Sequence, residues 1–344
     1  MNAPAPQDLS ITITQTAPGV WGLRLPLPFQ LNHINVWLLA DRMDNGRPAW
    51  TLIDTGVASN LTRSLWDQVA AEFLGTAPVR RVIVTHFHPD HIGLADWLCQ
   101  RFDAPLCMTR TEWLLARMLC LDHSDEIAEA GRRFYSAMGL EAPVLAALTT
   151  RGNAYARGVP VVPATFDRLT QGDRLCIGDR TWTILTSGGH SPEHACLYST
   201  DGEPVLIAGD MVLPRISPNV SVWPAEPFAD PLAEFLDGLK RLRGLPADTL
   251  VLPSHGPVFQ DLHGRIDALL HHHAERLAEA ERDCSAGGRT VAEITHSMFN
   301  RTLDTHQMSF AAGEALAHLN HLVATGRLQR HQRAADGVWL FTIP

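Results

Sequence analysis

Three histidines and one aspartate fall within six consecutive positions of this 344-residue chain. They are His86, His88, Asp90 and His91, in the stretch Thr85-His86-Phe87-His88-Pro89-Asp90-His91-Ile92-Gly93. Imidazole nitrogens and a carboxylate oxygen are borderline-to-hard donors that suit zinc, iron or manganese. So short a backbone cannot point all four at one ion. It can serve two adjacent ions: His86 and His88, as alternate residues, could face one, and Asp90 with His91 the other. A single His-x-His would read as a polar loop, whereas the complete pattern is specific for metal chemistry.

The neighbouring residues indicate what positions these side chains. Arg81-Val82-Ile83-Val84 is an apolar, β-branched run of the kind that forms a buried strand. Residues 92–98 read as a helix. The four candidate ligands thus occupy a tight strand-to-helix turn. Pro89 suits it because its φ is preset and it needs no amide partner.

Together these residues resemble the signature of the metallo-β-lactamase superfamily, and the likeness extends over most of the chain. It implies an α/β fold, the αββα sandwich, with three more ligands at strand ends. His190, in Gly189-His190-Ser191-Pro192, falls on one ligand position. Asp210, after Val205-Leu206-Ile207-Ala208, falls on a second, and His255, in Pro253-Ser254-His255-Gly256-Pro257, on the third. The implied set is His86, His88 and His190 on one metal, Asp90, His91 and His255 on the other, and Asp210 bridging both. His194 matches a histidine that is structural rather than a ligand.

The resemblance also implies roles for two carboxylates in catalysis. Asp90 would orient the nucleophile. Asp54 matches an aspartate beneath the metal loop, where it would accept hydrogen bonds and orient an imidazole; lying just before a helix, it could also cap that helix. The implied cofactor is two zinc ions, with iron or manganese as alternatives. Two such ions share a water and lower its pKa from about 16 toward about 7. A metal-bridging hydroxide would then attack a carbonyl or phosphoryl centre. The absence of a cysteine ligand resembles the glyoxalase II and ribonuclease Z side of the superfamily.

Elsewhere the chain alternates strands and helices. Residues 11–16, 20–25, 35–40 and 49–53 read as strands. Residues 60–74 read as a helix with Leu61, Leu65, Val69 and Phe73 on one face. Residues 109–157 break the alternation and read as an inserted helical subdomain. Trp113, Met118, Phe134, Tyr135 and Met138 give it a bulky apolar side, which is either core or a hydrophobic lid over the site. The proline-rich loop 211–224 leaves a ligand position directly, so Arg215, Asn219 and Trp223 are the candidate substrate-binding residues. The expected division is a catalytic domain over 1–260, a connecting helix over 261–287, and a winged-helix-like module of helices and a hairpin over 288–344. That tail resembles the one in the branch near the mitochondrial β-lactamase-like endoribonuclease. His271, His272 and His273 are consecutive on a helix and so point in three directions, which excludes one shared site.

Composition narrows the function. The formal net charge of −9 argues against a polyanionic partner. In the tail, Arg289, Arg301, Arg327, Arg330 and Arg333 are nearly balanced by Glu293, Asp304, Glu314 and Asp336. The six cysteines, Cys99, Cys107, Cys120, Cys176, Cys196 and Cys284, form no CxxC and read as reduced thiols of a cytoplasmic protein. Residues 1–8 carry neither a basic nor an apolar segment, so no signal peptide is expected. No run of about 18 apolar residues suggests a membrane span. The expectation is a binuclear hydrolase of a small acyl substrate: a thioester, ester or lactone. An endoribonuclease or phosphodiesterase that uses the tail to hold RNA is the alternative, and a metal-dependent ligand sensor a third. A homodimer stays open. An oxidoreductase would need a flavin or persulfide partner domain, and no flavodoxin-like segment is present.

Overall fold

The structure is a computed structural model that describes residues 11–28, 31–150 and 152–344. The N-terminal stretch 1–8, read above for targeting signals, lies outside the described residues. Seven strands form the first sheet in chain order: β1 Ile13–Ala17, β2 Val20–Pro26, β3 His33–Arg42, β4 Pro48–Ile53, β5 Val79–Ile83, β6 Leu106–Thr109 and β7 Asp167–Leu169. The pairing is antiparallel as far as β4 and parallel from β4 to β7. The second sheet holds β8 Arg174–Ile177, β9 Arg180–Ser187, β10 His194–Ser199, β11 Val205–Gly209 and β12 Leu250–Pro253, in the order β12-β11-β10-β9-β8. A separate hairpin pairs β13 Gln329–Gln332 with β14 Trp339–Thr342.

The helices are α1 Asn60–Val69, α2 Pro89–Ile92, α3 Ala95–Phe102, α4 Arg110–Leu121, α5 Asp125–Ala137, α6 Ala142–Thr149, α7 Ala154–Gly158, α8 Pro231–Leu242, α9 Leu262–Ser285, α10 Val291–Met298 and α11 Thr305–Ala324. Successive strand residues face opposite sides of a sheet, and here both sides are covered. In β3, Trp37 and Leu39 face the second sheet, while Val36 and Leu38 face the helices. In β11, Val205 and Ile207 face inward and Leu206 and Ala208 outward. This double burial is why both strands read as unbroken apolar runs.

Three apolar layers follow. Trp37, Ile53, Ile83, Trp182, Ile184, Leu197, Ile207 and Leu252 fill the space between the sheets. Leu65 and Trp66 of α1, Leu98 of α3 and Ala116 of α4 cover the first sheet. Leu232 and Phe235 of α8 and Ile266 and Leu269 of α9 cover the second. The architecture is therefore the expected αββα sandwich.

Two local expectations are revised and a third is refined. The helix read from residue 92 is broken into α2 and α3, so Asp90 and His91 lie in a helical turn, with Pro89 in its first position. Gly93 marks the break: a Cβ there would lie 2.4 Å from the Pro89 carbonyl oxygen and 2.7 Å from that of Gly56. The helix read over 60–74 spans those residues, its last turn, Ala70–Leu74, being π-helical. The inserted segment forms α4 to α7, but its bulky residues do not make one face. Trp113 stacks on Phe166, ring centroids 4.6 Å apart, within the first-sheet core. Phe134 and Met138 are buried with Val291 and Phe341 of the tail, and Met118 is 42% exposed. α4 follows directly from a strand and stays on its sheet, whereas α5 and α6 reach the C-terminal helices. Trp113 on one side and Phe134, Tyr135 and Met138 on the other therefore serve two cores, while Met118 stays exposed.

The tail runs helix, helix, hairpin. α10 and α11 each open with a capping box, Thr290 with Glu293 and Asp304 with Gln307. An isolated bridge ties Arg289 to Phe341 of β14. His271 is exposed beside Glu275, while His273 is buried and stacked on His318 of α11. Among the described residues no helix is long and apolar enough to cross a membrane.

Phe341 and the tail helices share one cluster with α8, α9 and the second sheet. Phe341→Ala should therefore cost about 3–5 kcal/mol and shift a single unfolding transition in denaturant. Two separated transitions would instead mark the tail as an independent unit.

Candidate metal centre

The site lies where β4, β5, β9, β11 and β12 end. Asp54 closes β4 with a φ of 63°, a conformation that aspartate tolerates better than most residues. Its amide donates to the Ile83 carbonyl, 2.8 Å away, which draws the turn beneath the loop after β5. Its Oδ1 accepts the Thr85 amide at 2.8 Å, and its Oδ2 lies 2.8 Å from His91 Nδ1. Thr55 adds a backbone anchor: it donates its amide and its hydroxyl to the His91 carbonyl at 2.9 and 2.6 Å. Asp54 thus fixes the His91 ring and leaves Nε2 facing the centre.

The other rings are fixed the same way. His190 Nδ1 donates to the Asn219 carbonyl, and His255 Nδ1 donates to the His33 carbonyl, both at 2.8 Å. His33 also accepts the Gly256 amide on its own Nε2 at 3.0 Å. Such outer hydrogen bonds select the tautomer whose second nitrogen can bind a metal. Asp210 is held from below by His194, whose Nε2 accepts the Asp210 amide at 3.2 Å. Only glycine fits before it, since a Cβ on Gly209 would lie 2.3 Å from that same nitrogen. His194 thus supports the backbone of Asp210.

All seven expected ligands converge. Three groups of potential ligand atoms form: His86, His88 and His190; Asp90, His91 and His255; and, spanning them, His86, His91 and Asp210. In the first group, His86 Nε2 lies 2.8 Å from His88 Nδ1 and 3.2 Å from His190 Nε2. In the second, Asp90 Oδ2 lies 3.4 Å from His255 Nε2 and 3.7 Å from His91 Nε2. Asp210 divides its oxygens. Oδ2 is 3.4 Å from His190 Nε2, while Oδ1 is 3.4 Å from His255 Nε2 and 3.5 Å from His91 Nε2.

The donors fit a cation on their own chemistry. His91 Nε2 and Asp210 Oδ1, which face each other in the centre, are buried polar atoms without a hydrogen-bond partner, a costly condition unless an ion takes up their lone pairs. Burial, then the neighbouring histidines, pushes the His86 pKa far down, and burial pushes His88 down to about 3, so these rings are in the ligating neutral form. Burial favours neutral His91 and His255 as well, but surrounding carboxylates outweigh it. Asp54, Asp210 and Asp90 raise His91, and Asp210 and Asp90 raise His255 to about 10. A divalent cation would take over the charge balance that those protons supply, so binding is coupled to proton release.

The substrate candidates are less concentrated. Arg215 is exposed on the loop after Asp210, next to Pro214, whose ring packs on Gly256. Asn219 offers its carbonyl to His190, and its side-chain oxygen accepts the Ser221 hydroxyl at 3.0 Å. Trp223 is half-buried and packs edge-on against Phe310 of α11. Sequence reasoning missed Glu112. This residue is wholly buried in the first turn of α4, and it accepts hydrogen bonds from both loops of the first group. Burial raises its pKa to about 7 against the pull of those donors. In the sequence it looks like an ordinary acidic residue at a helix start.

The family model described as Metallo-beta-lactamase superfamily matches residues 31–255. The chain belongs to that superfamily. A second model, Metallo-beta-lactamase-like, C-terminal domain, matches residues 277–343 and so begins inside α9. A beta-lactamase domain protein from Burkholderia ambifaria is 44% identical in its crystal structure, with a TM-score of 0.90 over 96% of this chain and 94% of that one. A metallo-beta-lactamase family protein from Thermus thermophilus is 27% identical, with a TM-score of 0.76 over 95% of this chain and 99% of that one. The probable metallo-hydrolase YqjP of Bacillus subtilis is 24% identical over 90% of this chain and 93% of its own length. Membership places this metallo-beta-lactamase superfamily chain among the metallo-hydrolases.

Among the described residues, Asp54 reaches the site through His91 and Thr85. Asp54→Ala should weaken metal affinity by about 10–100-fold, read by competition with a chelator. Unchanged affinity would reduce Asp54 to a turn residue.

Proposed function

We propose that this protein holds two divalent cations, zinc by default, and hydrolyses a small thioester, ester or lactone. The observation that carries the reading is the division of Asp210, one oxygen toward each group of histidines. One carboxylate so placed offsets the repulsion between two neighbouring cations. A histidine and carboxylate donor set also accepts iron or manganese. When bound, the cations supply an activated water and polarise the electrophile. The chain does the rest: His86, His88 and His190 hold one position, and Asp90, His91 and His255 the other. Asp90, partly exposed beside His255, is placed to orient the nucleophile.

The tail's order of helices and hairpin supports a winged-helix-like module, but one built to prop rather than to read nucleic acid. α11, the helix that would enter a groove, is buried along Ala312, Ala315, Leu316, Leu319 and Leu322. Four of the tail's arginines are already engaged. Arg289 pairs with Glu293, Arg327 with Glu281 and Arg333 with Asp336, and Arg330 lies 3.9 Å over the Phe228 ring. A basic track for RNA is not assembled from them. The cysteines are free thiols, and Cys107 and Cys196 are buried; this supports a reducing compartment and a cytoplasmic location.

Loop residues 211–224 then form one wall of the substrate site. Arg265 donates to the Leu213 and Ile216 carbonyls at 2.5 and 2.7 Å and holds the loop in place. Arg215 remains exposed there as a handle for a substrate anion. The test is a turnover screen of acyl-thioesters, lactones, phosphodiesters and short RNA, run on the wild-type protein and on Arg215→Ala. Acyl substrates should be cleaved, and Arg215→Ala should raise KM for anionic ones at unchanged metal content, the pattern of lost uniform binding. Turnover confined to RNA, with affinity falling steeply in salt, would reverse the reading.

A further inference from the structure

The two groups of ligands are held by different parts of the chain. The second depends on the sandwich: His91 is fixed by Asp54 at the end of β4, and His255 by the His33 carbonyl of β3. The first shares Asp54, which holds Thr85 beside His86, and depends in addition on the inserted segment. Glu112 Oε2 accepts the Phe87 amide at 2.9 Å, and Phe87 stands between the ligands His86 and His88. Glu112 Oε1 accepts the Ser191 hydroxyl at 2.7 Å and the Glu193 amide at 2.6 Å, and Ser191 follows the ligand His190. The Phe87 carbonyl in turn accepts the Tyr155 hydroxyl of α7 at 2.7 Å. Both backbone polar groups of Phe87 are therefore tied to inserted helices.

We propose that Glu112 is a positioning residue for the first cation: the inserted segment sets the separation of the loops that carry His86 and His88 on one side and His190 on the other. The proposal rests on the two-cation reading given above. A buried carboxylate is costly unless its lone pairs are occupied, and here every donor comes from a ligand-bearing loop. Removing the carboxylate lets the loops part. Glu112→Gln keeps the shape but not the function. Each carboxylate oxygen faces at least one donor, so the amide nitrogen opposes an N–H or O–H whichever way it is turned. One loop is released.

The experiment measures cation occupancy at each group by anomalous diffraction at the zinc edge, and affinity by chelator competition. It compares the wild type with Glu112→Gln, Glu112→Ala, Ser191→Ala and Asp54→Ala. The wild type should fill both positions. Glu112→Gln should lose about 10–100-fold in affinity at the His86, His88 and His190 position, with the other position unchanged. Glu112→Ala should lose more at that same position, and Ser191→Ala less. Asp54→Ala, which frees both His91 and the Thr85 that adjoins His86, should weaken both positions. Should Glu112→Ala fail to fold, Glu112→Gln and Ser191→Ala still decide. Retention of both affinities in Glu112→Gln, or equal loss at both positions, would overturn the proposal. A wild-type protein that fills only one position would overturn the two-cation reading and this proposal with it.

Discussion

Seven donor atoms directed into one buried volume repel one another, and the rest of the structure answers that constraint. Lone pairs of His86, His88 and His190 lie within 3.2 Å of each other in successive pairs, a spacing that neutral imidazoles do not choose in an apolar interior. It persists because each ring or loop is anchored from behind. Asp54 anchors His91, the Asn219 carbonyl His190, the His33 carbonyl His255, and His194 the Asp210 backbone. The sandwich serves this purpose because its strands end together, and their buried runs fix the positions of those ends.

The appended parts of the chain contribute to the same task. The loop after Asp210 carries the carbonyl that orients His190, and that loop is docked on the tail: the Val222 amide donates to the Gly313 carbonyl, and the Ser221 hydroxyl to that of Phe310. α4 supplies Glu112. The insertion and the C-terminal helices thus contact the loops of the first ligand group, while Asp54 of the sandwich reaches both groups, through His91 and through Thr85 beside His86. Cost and position agree here. A fully buried glutamate without a cationic partner is uncommon, and this one occurs where two ligand loops must be kept at a set distance.

What could be read from the sequence was what side-chain chemistry and periodicity carry. The ligands announce themselves because few residue types can bind a metal, and the strands because both of their faces are apolar. What could not be read depends on long-range backbone contact. Any residue could offer the carbonyls of Asn219 and His33, so no residue type marks them. Glu112 meets partners 25 and 79 positions away. The break between α2 and α3 depends on the close approach of residues 56–58 to Gly93. The division of the insertion between two cores followed from where its helices were led, and amphipathic spacing alone does not specify a partner.

In the proposed function, Asp210 joins two cation positions into one site. Elemental analysis of dialysed protein, purified with metal in excess, tests it most directly. Two equivalents of divalent cation are expected in the wild type and at most one in Asp210→Ala, whose two positions would face each other without a shared carboxylate. Two equivalents retained in Asp210→Ala would contradict it.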